Sequence, residues 1–471
     1  MSQPKTAIII LNWNKKDYLL QLIESLRSLN YRNYDVIVVD NASTDSSVKS
    51  LSENYPEITI IQNAINLGGT GGFNTGIQYV IDNNSYKYIW LLDNDALVEK
   101  NTLLELVKVM EKDNQIGIAG SMIVDSDDRD LIVELGAFFR WDTIGVTPHY
   151  RNRRIRANLE PTEVEYVAIC SALVRIDAVK KIGLMDERFF IFWDDMDWGL
   201  SFKKYGFKVV AVPASVVYHP AFTEKERGEV TEYYYGHRNA LLVYTKHTNF
   251  WKRLFIFSNF LRVLCTKIAF SFFNGQRQRA SLMTQALRDF INNKWGEIES
   301  DHKNRKGKHA IRKKMLSGGG DKMRKIVIST FGTSREDILR MTEELETMYP
   351  DSTIFLLLGE DRREVFKLDE LEFMLVNVKM LTNLLYNLYS FFRLLAKRFD
   401  LIVGTSTSVF FFAVKKSALF DVGERTFFEN ETNIRNLFVV MIATFVGQLL
   451  GAVILPVMLL RGYKYRQAAK G

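Results

Sequence analysis

Asp93 and Asp95 stand one residue apart in Leu91-Leu92-Asp93-Asn94-Asp95, directly after the apolar run Tyr88–Leu92. The run reads as a buried strand. In an open α/β sheet, such a strand delivers the residues at its carboxyl end to the edge where ligands bind. Two hard oxygen ligands at that edge can hold a divalent cation, Mn2+ or Mg2+, against a diphosphate. The same pair also fits an Asx-type turn that closes a strand. Asp40 ends a second apolar run in Val38-Val39-Asp40-Asn41-Ala42-Ser43-Thr44-Asp45. A carboxylate there can accept the imide N–H of uracil or thymine. A cap or turn role fits Asp45 better than Asp40.

Trp193-Asp194-Asp195-Met196-Asp197-Trp198 packs acids between tryptophans, with Phe189, Phe190 and Phe192 just before them. Repulsion and partial burial should raise at least one of these carboxyls, and a carboxylate so tuned can serve as a general base towards a sugar hydroxyl. An exposed acidic loop is the alternative. His219 follows Val216-Val217-Tyr218, a strand pattern. It fits a structural role or a metal-ligand role beside the Asp pair.

Asn66-Leu67-Gly68-Gly69-Thr70-Gly71-Gly72-Phe73-Asn74-Thr75-Gly76 reads as a glycine-rich loop before a helix, where backbone N–H groups can approach phosphate. A dinucleotide fingerprint fails here. Asn74 stands where its third glycine belongs, and the acidic strand end precedes the glycines instead of following them.

The elements that must position these residues alternate over 6–220. Ala7–Leu11, Tyr34–Val39, Ile58–Gln62 and Tyr88–Leu92 read as strands; Asp17–Leu29 and Gly76–Asn83 read as helices. The alternation implies crossovers and a mostly parallel, Rossmann-like α/β sheet. Residues 231–300 turn helical and aromatic. Within Trp251–Phe273, Phe257, Leu261, Leu264, Ile268 and Phe272 share a stripe opposite Asn259, Arg262 and Thr266. This fits a helix lying in a membrane interface or one packed on the preceding domain.

With 471 residues the chain should hold about two to four units. The spacing divides it into 1–240, a helical segment 241–300, a basic and Gly-rich linker 301–323, a second small α/β domain 324–435, a transmembrane helix 436–461 and a basic tail 462–471. In the second domain, strands are expected at Lys325–Ser329, Ser352–Leu358 and Asp400–Gly404, with helices at 334–348 and 380–397. Leu437–Leu460 is 24 residues without a charge, long enough to cross a bilayer core of about 30 Å. Ala443, Gly447 and Gly451 could seat a partner helix there, hence a homo-oligomer.

The formal charge of +7 equals that of Lys303, Arg305, Lys306, Lys308, Arg312, Lys313 and Lys314 together. The remainder is formally neutral, which disfavours a nucleic-acid binder with a broad basic face. That segment fits a site near anionic lipid or a solvated linker. Cys170 and Cys265 alone supply no disulfide framework, which fits a reducing compartment. Thr6–Leu11 is too brief for a secretory signal core.

Residues 6–240 resemble a family 2 glycosyltransferase with the GT-A fold. The resemblance rests on Ile10-Leu11-Asn12-Trp13-Asn14, Asp40-Asn41-Ala42-Ser43, Asp93-Asn94-Asp95, Asp194-Asp195, His219 and Tyr233-Tyr234-Tyr235-Gly236-His237-Arg238-Asn239. It implies inverting, metal-dependent transfer of a sugar from a nucleoside diphosphate donor, a UDP-sugar foremost, to a lipid-linked or growing glycan acceptor. Asp40, Asn66, Gly69 and Asp93 would then face the donor, and Asp93, Asp95 and His219 the metal. Asp195 would be the base beside Asp194, with Trp193, Asp197 and Trp198 towards the acceptor. Asn66–Phe73 with Trp193-Asp194-Asp195 is similar to bacterial galactofuranosyltransferases; rhamnosyltransferases share the layout. Cytosolic donors would place the domain on the cytoplasmic face of the bacterial inner membrane, held by a single-pass C-terminal anchor. The rivals are an inactive membrane-anchored scaffold of polysaccharide assembly, which the intact acids oppose, and a nucleotidyltransferase. The second would want a basic phosphate grip near the N-terminus, where only Lys15 and Lys16 stand.

Overall fold

A computed structural model describes residues 3–298, apart from 84, 142–143, 152, 156–158, 221–227 and 274–275. Beyond these it describes 325–329, 335–359, 372–376, 401–404, 416–421, 426–429, 446, 449, 454 and 455. The expected helix 380–397, the basic segment 303–314 and nearly all of Leu437–Leu460 lie outside the described residues. The chain divides into two compact units, Met1–Asn304 with Val446–Gly471, and Arg305–Phe445.

In the first unit, β1 (Thr6–Asn12) lies between β2 (Tyr34–Asp40) and β4 (Tyr88–Asp93), parallel to both, and β3 (Thr59–Gln62) continues the sheet beyond β2. Each strand is apolar on both faces, so alternate residues feed two cores. Ala7, Ile9, Val39 and Leu91 enter one; Ile8, Ile10, Val38 and Leu92 enter the other, where helix α1 (Lys16–Arg27) buries Leu19, Leu22, Ile23 and Leu26. The register sets Asn12 beside Asp40 and Leu11 beside Asp93, which levels the strand ends that carry the acids.

The sheet is mixed, not mostly parallel. Ser171–Arg175 runs antiparallel between β4 and Ile116–Asp125, and Lys208–His219 then runs parallel to Ile116–Asp125. Ser171–Arg175 is buried throughout. An apolar run of this kind carries no signal of direction, so sequence reasoning defaulted to crossovers.

The glycine run is not a loop. Helix α2 (Ser47–Asn54) precedes it, and helix α3 begins at Gly68 and ends at Asn83. A Cβ on Gly72 would lie 2.3 Å from Leu11 Cδ1, and one on Gly76 2.6 Å from Ile9 Cγ2. These glycines let α3 pack closely on β1. Gly68 has φ +73°, and a Cβ there would lie 2.1 Å from the Phe190 carbonyl oxygen.

Helix α4 (Thr102–Lys112), α5 (Ile176–Ile182) and α6 (Asp194–Lys204) alternate with the later strands, and after Lys208–His219 a π-helical turn Val230–Tyr235 leads into α7 (Gly236–His247). Helix α8 (Phe250–Phe273) and α9 (Arg277–Ile291) complete the helical body. Phe257, Leu261 and Leu264 of α8 are fully buried against Leu241, Tyr244, Met283, Leu287 and Phe290. Of the two readings of this stripe, the packed one describes its buried residues, because α7 and α9 supply apolar partners. Ile268 is half-buried; Phe272 alone of the stripe is exposed. Ile454 and Leu455 pack against the same core. By length and composition, Phe250–Phe272 is the candidate span among the described residues. Yet Arg262 and Lys267 lie on its outward side. Each would cost about 2.5–3.5 kcal/mol at a bilayer centre.

The second unit is a separate six-stranded sheet in the order 372–376, 353–359, 325–329, 401–404, 416–421, 426–429. Its neighbours are parallel except the last pair. Arg335–Met348 links the first two strands in the chain, and the strand order reverses between Lys325–Ser329 and Leu401–Gly404.

Candidate active site

Asn12 ties the ends of β2 and β4 together. Its Nδ2 donates to Asp40 Oδ1 at 3.0 Å and to Ser43 Oγ at 3.2 Å, and its Oδ1 accepts from Asn94 Nδ2 at 2.7 Å. The second Asp40 oxygen accepts from the Ser43 N–H at 3.0 Å. Asp40 is thus a buried acceptor in a fixed orientation. Asn41 works on the other side. Its Nδ2 donates to Asn66 Oδ1 and the Gly68 carbonyl, both at 2.9 Å, while Asn66 Oδ1 also accepts from the Gly68 N–H at 2.8 Å. Asn66 therefore shapes the entry to α3.

Asp93 ends β4, Asp95 sits in the turn after it, and His219 ends the Lys208–His219 strand. One ligand atom from each lies within 4.8 Å of the others. His219 Nε2 is 3.1 Å from Asp95 Oδ1 and 4.0 Å from Asp93 Oδ2. Its Nδ1 faces the Pro220 carbonyl at 2.9 Å, which turns Nε2 towards the acids. The donor set of two carboxylates and one imidazole nitrogen fits a divalent transition ion such as Mn2+. The Lys15 ammonium is hydrogen-bonded to Asp95. The turn after β1 brings Lys15 here, a contact with Asp95 that lies 80 residues away in the chain.

These charges shift one another. Desolvation, and after it Asp95, pushes the Asp93 carboxyl up. Desolvation works against the Asp95 charge as well, but the hydrogen bond from His219 and the cations His219 and Lys15 outweigh it and hold Asp95 below the usual carboxylate range. Burial alone would lower His219; the hydrogen bond and charge of Asp95 raise it instead.

The acidic pair opens α6. Asp194 Oδ2 accepts from Thr70 Oγ1 in α3 at 2.7 Å, and a Cβ on Gly69 would lie 3.9 Å from the same oxygen. Asp195 Oδ1 accepts the Met196 N–H at 2.7 Å. Burial, then the charges of Asp194 and Glu134, raises the Asp195 carboxyl well above its ordinary value. Burial raises Asp194 too. Asp93 adds to the rise at Asp195, and Asp194 to that at Asp93, so both acid groups share one field.

The remaining acceptor expectations meet a different placement. Asp197 is buried and bound by Lys246 Nζ at 2.6 Å and His247 Nε2 at 2.8 Å, which ties α6 to α7. Trp198 is buried beside Phe202 and donates its indole N–H to the Gly183 carbonyl at 3.2 Å. Trp193 is 8% exposed within a cluster of Phe139 and Tyr244. Asp197 and Trp198 are therefore engaged in packing of α6 against α7 and Gly183, not exposed beside Asp194 and Asp195 as an acceptor surface.

The segment before α6 is strained: Phe190, Phe192 and Trp193 have φ of +65°, +72° and +73°. Buried Asn239 holds it, with Nδ2 donating to the carbonyls of Phe189, Ile191 and Phe192 at 2.9, 2.8 and 2.8 Å. Buried Arg238 donates to the Arg188 and Phe189 carbonyls, each at 3.2 Å. The Thr70 N–H donates to the Phe190 carbonyl at 3.1 Å. Strain of this kind persists only where surrounding structure over-determines it.

Residues 7–183 match the family described as Glycosyl transferase family 2. The chain carries a family 2 glycosyltransferase domain. The match takes in Asp40, Asp93 and Asp95 and stops short of Asp194, Asp195 and His219. An N-acetylglucosaminyl-diphospho-decaprenol L-rhamnosyltransferase of Mycobacterium tuberculosis is 23% identical over 274 residues, covering 52% of this chain and 86% of that protein. Galactofuranosyltransferase GlfT2 of the same species is 22% identical over 200 residues, 39% of this chain and 31% of its own length. Among solved structures, GalNAc-T7 with UDP, GalNAc and Mn2+ aligns at TM-score 0.41 and 17% identity, over 52% of this chain and half of its own. The family 2 domain makes the chain a glycosyltransferase.

Proposed function

We propose that the chain transfers a hexose, with inversion, from a nucleoside diphosphate donor to a lipid-linked or growing glycan acceptor in polysaccharide or cell-wall assembly at a membrane. The observation that carries this reading is the pairing of two acid groups in one field. Asp93, Asp95 and His219 gather at the strand ends, and Asp194 with Asp195 opens the helix beside α3.

Asp40 accepts the imide N–H of a uracil or thymine base, fixed for that task by Asn12 and Ser43. Asp93, Asp95 and His219 would hold a divalent cation, Mn2+ or Mg2+, which when bound would supply Lewis-acid charge to the diphosphate. Asp195 takes the proton of the acceptor hydroxyl as its oxygen attacks the anomeric carbon from the face opposite the diphosphate. The C–O bond to the acceptor forms as the bond to the diphosphate oxygen breaks. Asp194 and Thr70 orient the acceptor side, and Gly69 leaves room for the donor beside them. Galactofuranose from a UDP donor is the first choice, and rhamnose from a dTDP donor is the alternative.

A panel of UDP- and dTDP-sugars, assayed for hydrolysis with Mn2+, with Mg2+ and with chelator, tests this reading. Turnover of one donor, lost on chelation, is expected. No turnover of any nucleotide sugar with either metal contradicts it.

A further inference from the structure

We infer that the outward face of α8 is a docking surface for anionic lipid, on which α8 lies along the bilayer without crossing it. The apolar stripe that would favour insertion is already buried in the protein, with Phe257, Leu261 and Leu264 fully enclosed. What α8 turns outward is a mixture of aromatic and basic groups. Trp251 is 75% exposed and Phe255 46%, and Lys252, Arg262 and Lys267 are exposed with them. On a helical wheel Trp251, Phe255, Ser258 and Arg262 fall on one side, at i, i+4, i+7 and i+11.

Charge chooses the partner. Residues 233–288 contain no Asp or Glu at all. The exposed face of α8 therefore carries no acid of its own, and the neighbouring α9 adds exposed Arg277, while its Arg288 lies 3.7 Å from Asp289. Tryptophan and phenylalanine interleaved with lysine and arginine suit the headgroup level, where amphipathic rings and basic side chains both find partners. An acidic protein would match the charge but would leave Trp251 and Phe255 without an apolar layer. A neutral bilayer would take the rings and leave the cations unmatched. Each basic residue near an anionic surface strengthens partitioning about fivefold, so removal of three should weaken the contact roughly 100-fold.

The test uses the full chain in liposomes, with Cys170→Ser and Cys265→Ala as background. Spin labels are placed at Trp251→Cys and Ser258→Cys, and a control at Tyr205→Cys, which is 57% exposed elsewhere on the unit. Accessibility to oxygen and to a water-soluble nickel chelate is compared in phosphatidylcholine vesicles and in vesicles containing phosphatidylglycerol. The labels at 251 and 258 should lose nickel access and gain oxygen access only with phosphatidylglycerol, while the label at 205 stays aqueous. The K252E/R262E/K267E chain should show the neutral-vesicle pattern in both. Unchanged nickel access in anionic vesicles overturns the inference. Shielding that follows protein concentration instead of lipid charge also overturns it, and assigns the face to a second copy. No readout depends on sugar transfer, so the outcome is separate from that of the proposed activity.

Discussion

Asn12 donates its side-chain amide to Asp40 at 3.0 Å across neighbouring strands at the same register. Through its oxygen the same amide also receives Asn94, the residue between the two metal-side acids. One buried side chain therefore ties the end of β2 to the turn after β4, the proposed base and diphosphate ends of a donor site. Asn12→Ala should remove the partner of Asp40 Oδ1 and of the Asn94 amide, with Asp40 keeping the Ser43 N–H. The expected loss is about 1–3 kcal/mol in donor binding, or roughly 5- to 150-fold in Kd. Titration calorimetry with the nucleoside diphosphate checks it, and an unchanged Kd would reject the role of Asn12.

The acidic pair makes a prediction in pH. Burial and the neighbouring charges raise the Asp195 carboxyl well above its ordinary value, so the ionised base is lost as pH falls through that raised value. The acid limb of kcat/KM should lie above the range of an exposed carboxylate. Asp194→Asn removes a neighbouring negative charge, so Asp195 should ionise at lower pH and the limb should move to lower pH. A limb that stays in place would separate Asp194 from the base.

The glycine-rich run separates packing from approach. Gly68→Ala combines a left-handed φ of +73° with a backbone clash against Phe190, so it should cost about 1–3 kcal/mol of stability. Gly69→Ala meets nothing closer than 3.9 Å and lies within a helix, where alanine gains about 1 kcal/mol. A higher donor KM in a stabler Gly69→Ala protein would show that the donor passes Gly69. Denaturant titration paired with donor kinetics reads both.

Lys246 sits between half-buried Asp186, at 2.7 Å, and buried Asp197, at 2.6 Å. Lys246→Met should destabilise the fold by about 1–3 kcal/mol, because Asp197 keeps only His247 and Asp186 only Arg188 as charged partners. Burial would raise Asp186, but the hydrogen bond from Arg188 and the charge of Lys246 win and hold it below the usual range. Its contribution is therefore present above the ordinary carboxylate pKa and lost as pH falls through the lower folded value. Unfolding midpoints followed from pH 7 to strongly acid conditions should show this loss in the parent and a smaller one in Lys246→Met.

Much of this site is legible in the sequence because strand ends are. Asp40, Asp93 and His219 each close an apolar run, and parallel register then levels β2 with β4. Helix interiors are less legible. Asp197 and Trp198 follow Asp195 in the chain, yet both are buried, Asp197 against Lys246 and His247 and Trp198 against Phe202. The glycine run signals close approach without saying to what, and the answer is Leu11, Ile9 and Phe190. The stripe of α8 has the same ambiguity, since periodicity marks an apolar face and not its partner. Lys15, Asn12 and the Arg238–Asn239 clamp act through contacts 28 to 80 residues distant, which no local pattern encodes.

Asp195→Asn tests the central claim most directly, with donor binding and sugar transfer measured on the same preparation. The carboxamide keeps the shape of the side chain and cannot take the acceptor proton. Donor Kd should stay within about twofold of the parent while transfer falls roughly 100- to 10,000-fold. Retained transfer, or donor binding lost together with transfer, would contradict Asp195 as the base of a site whose donor is held by Asp40, Asp93, Asp95 and His219.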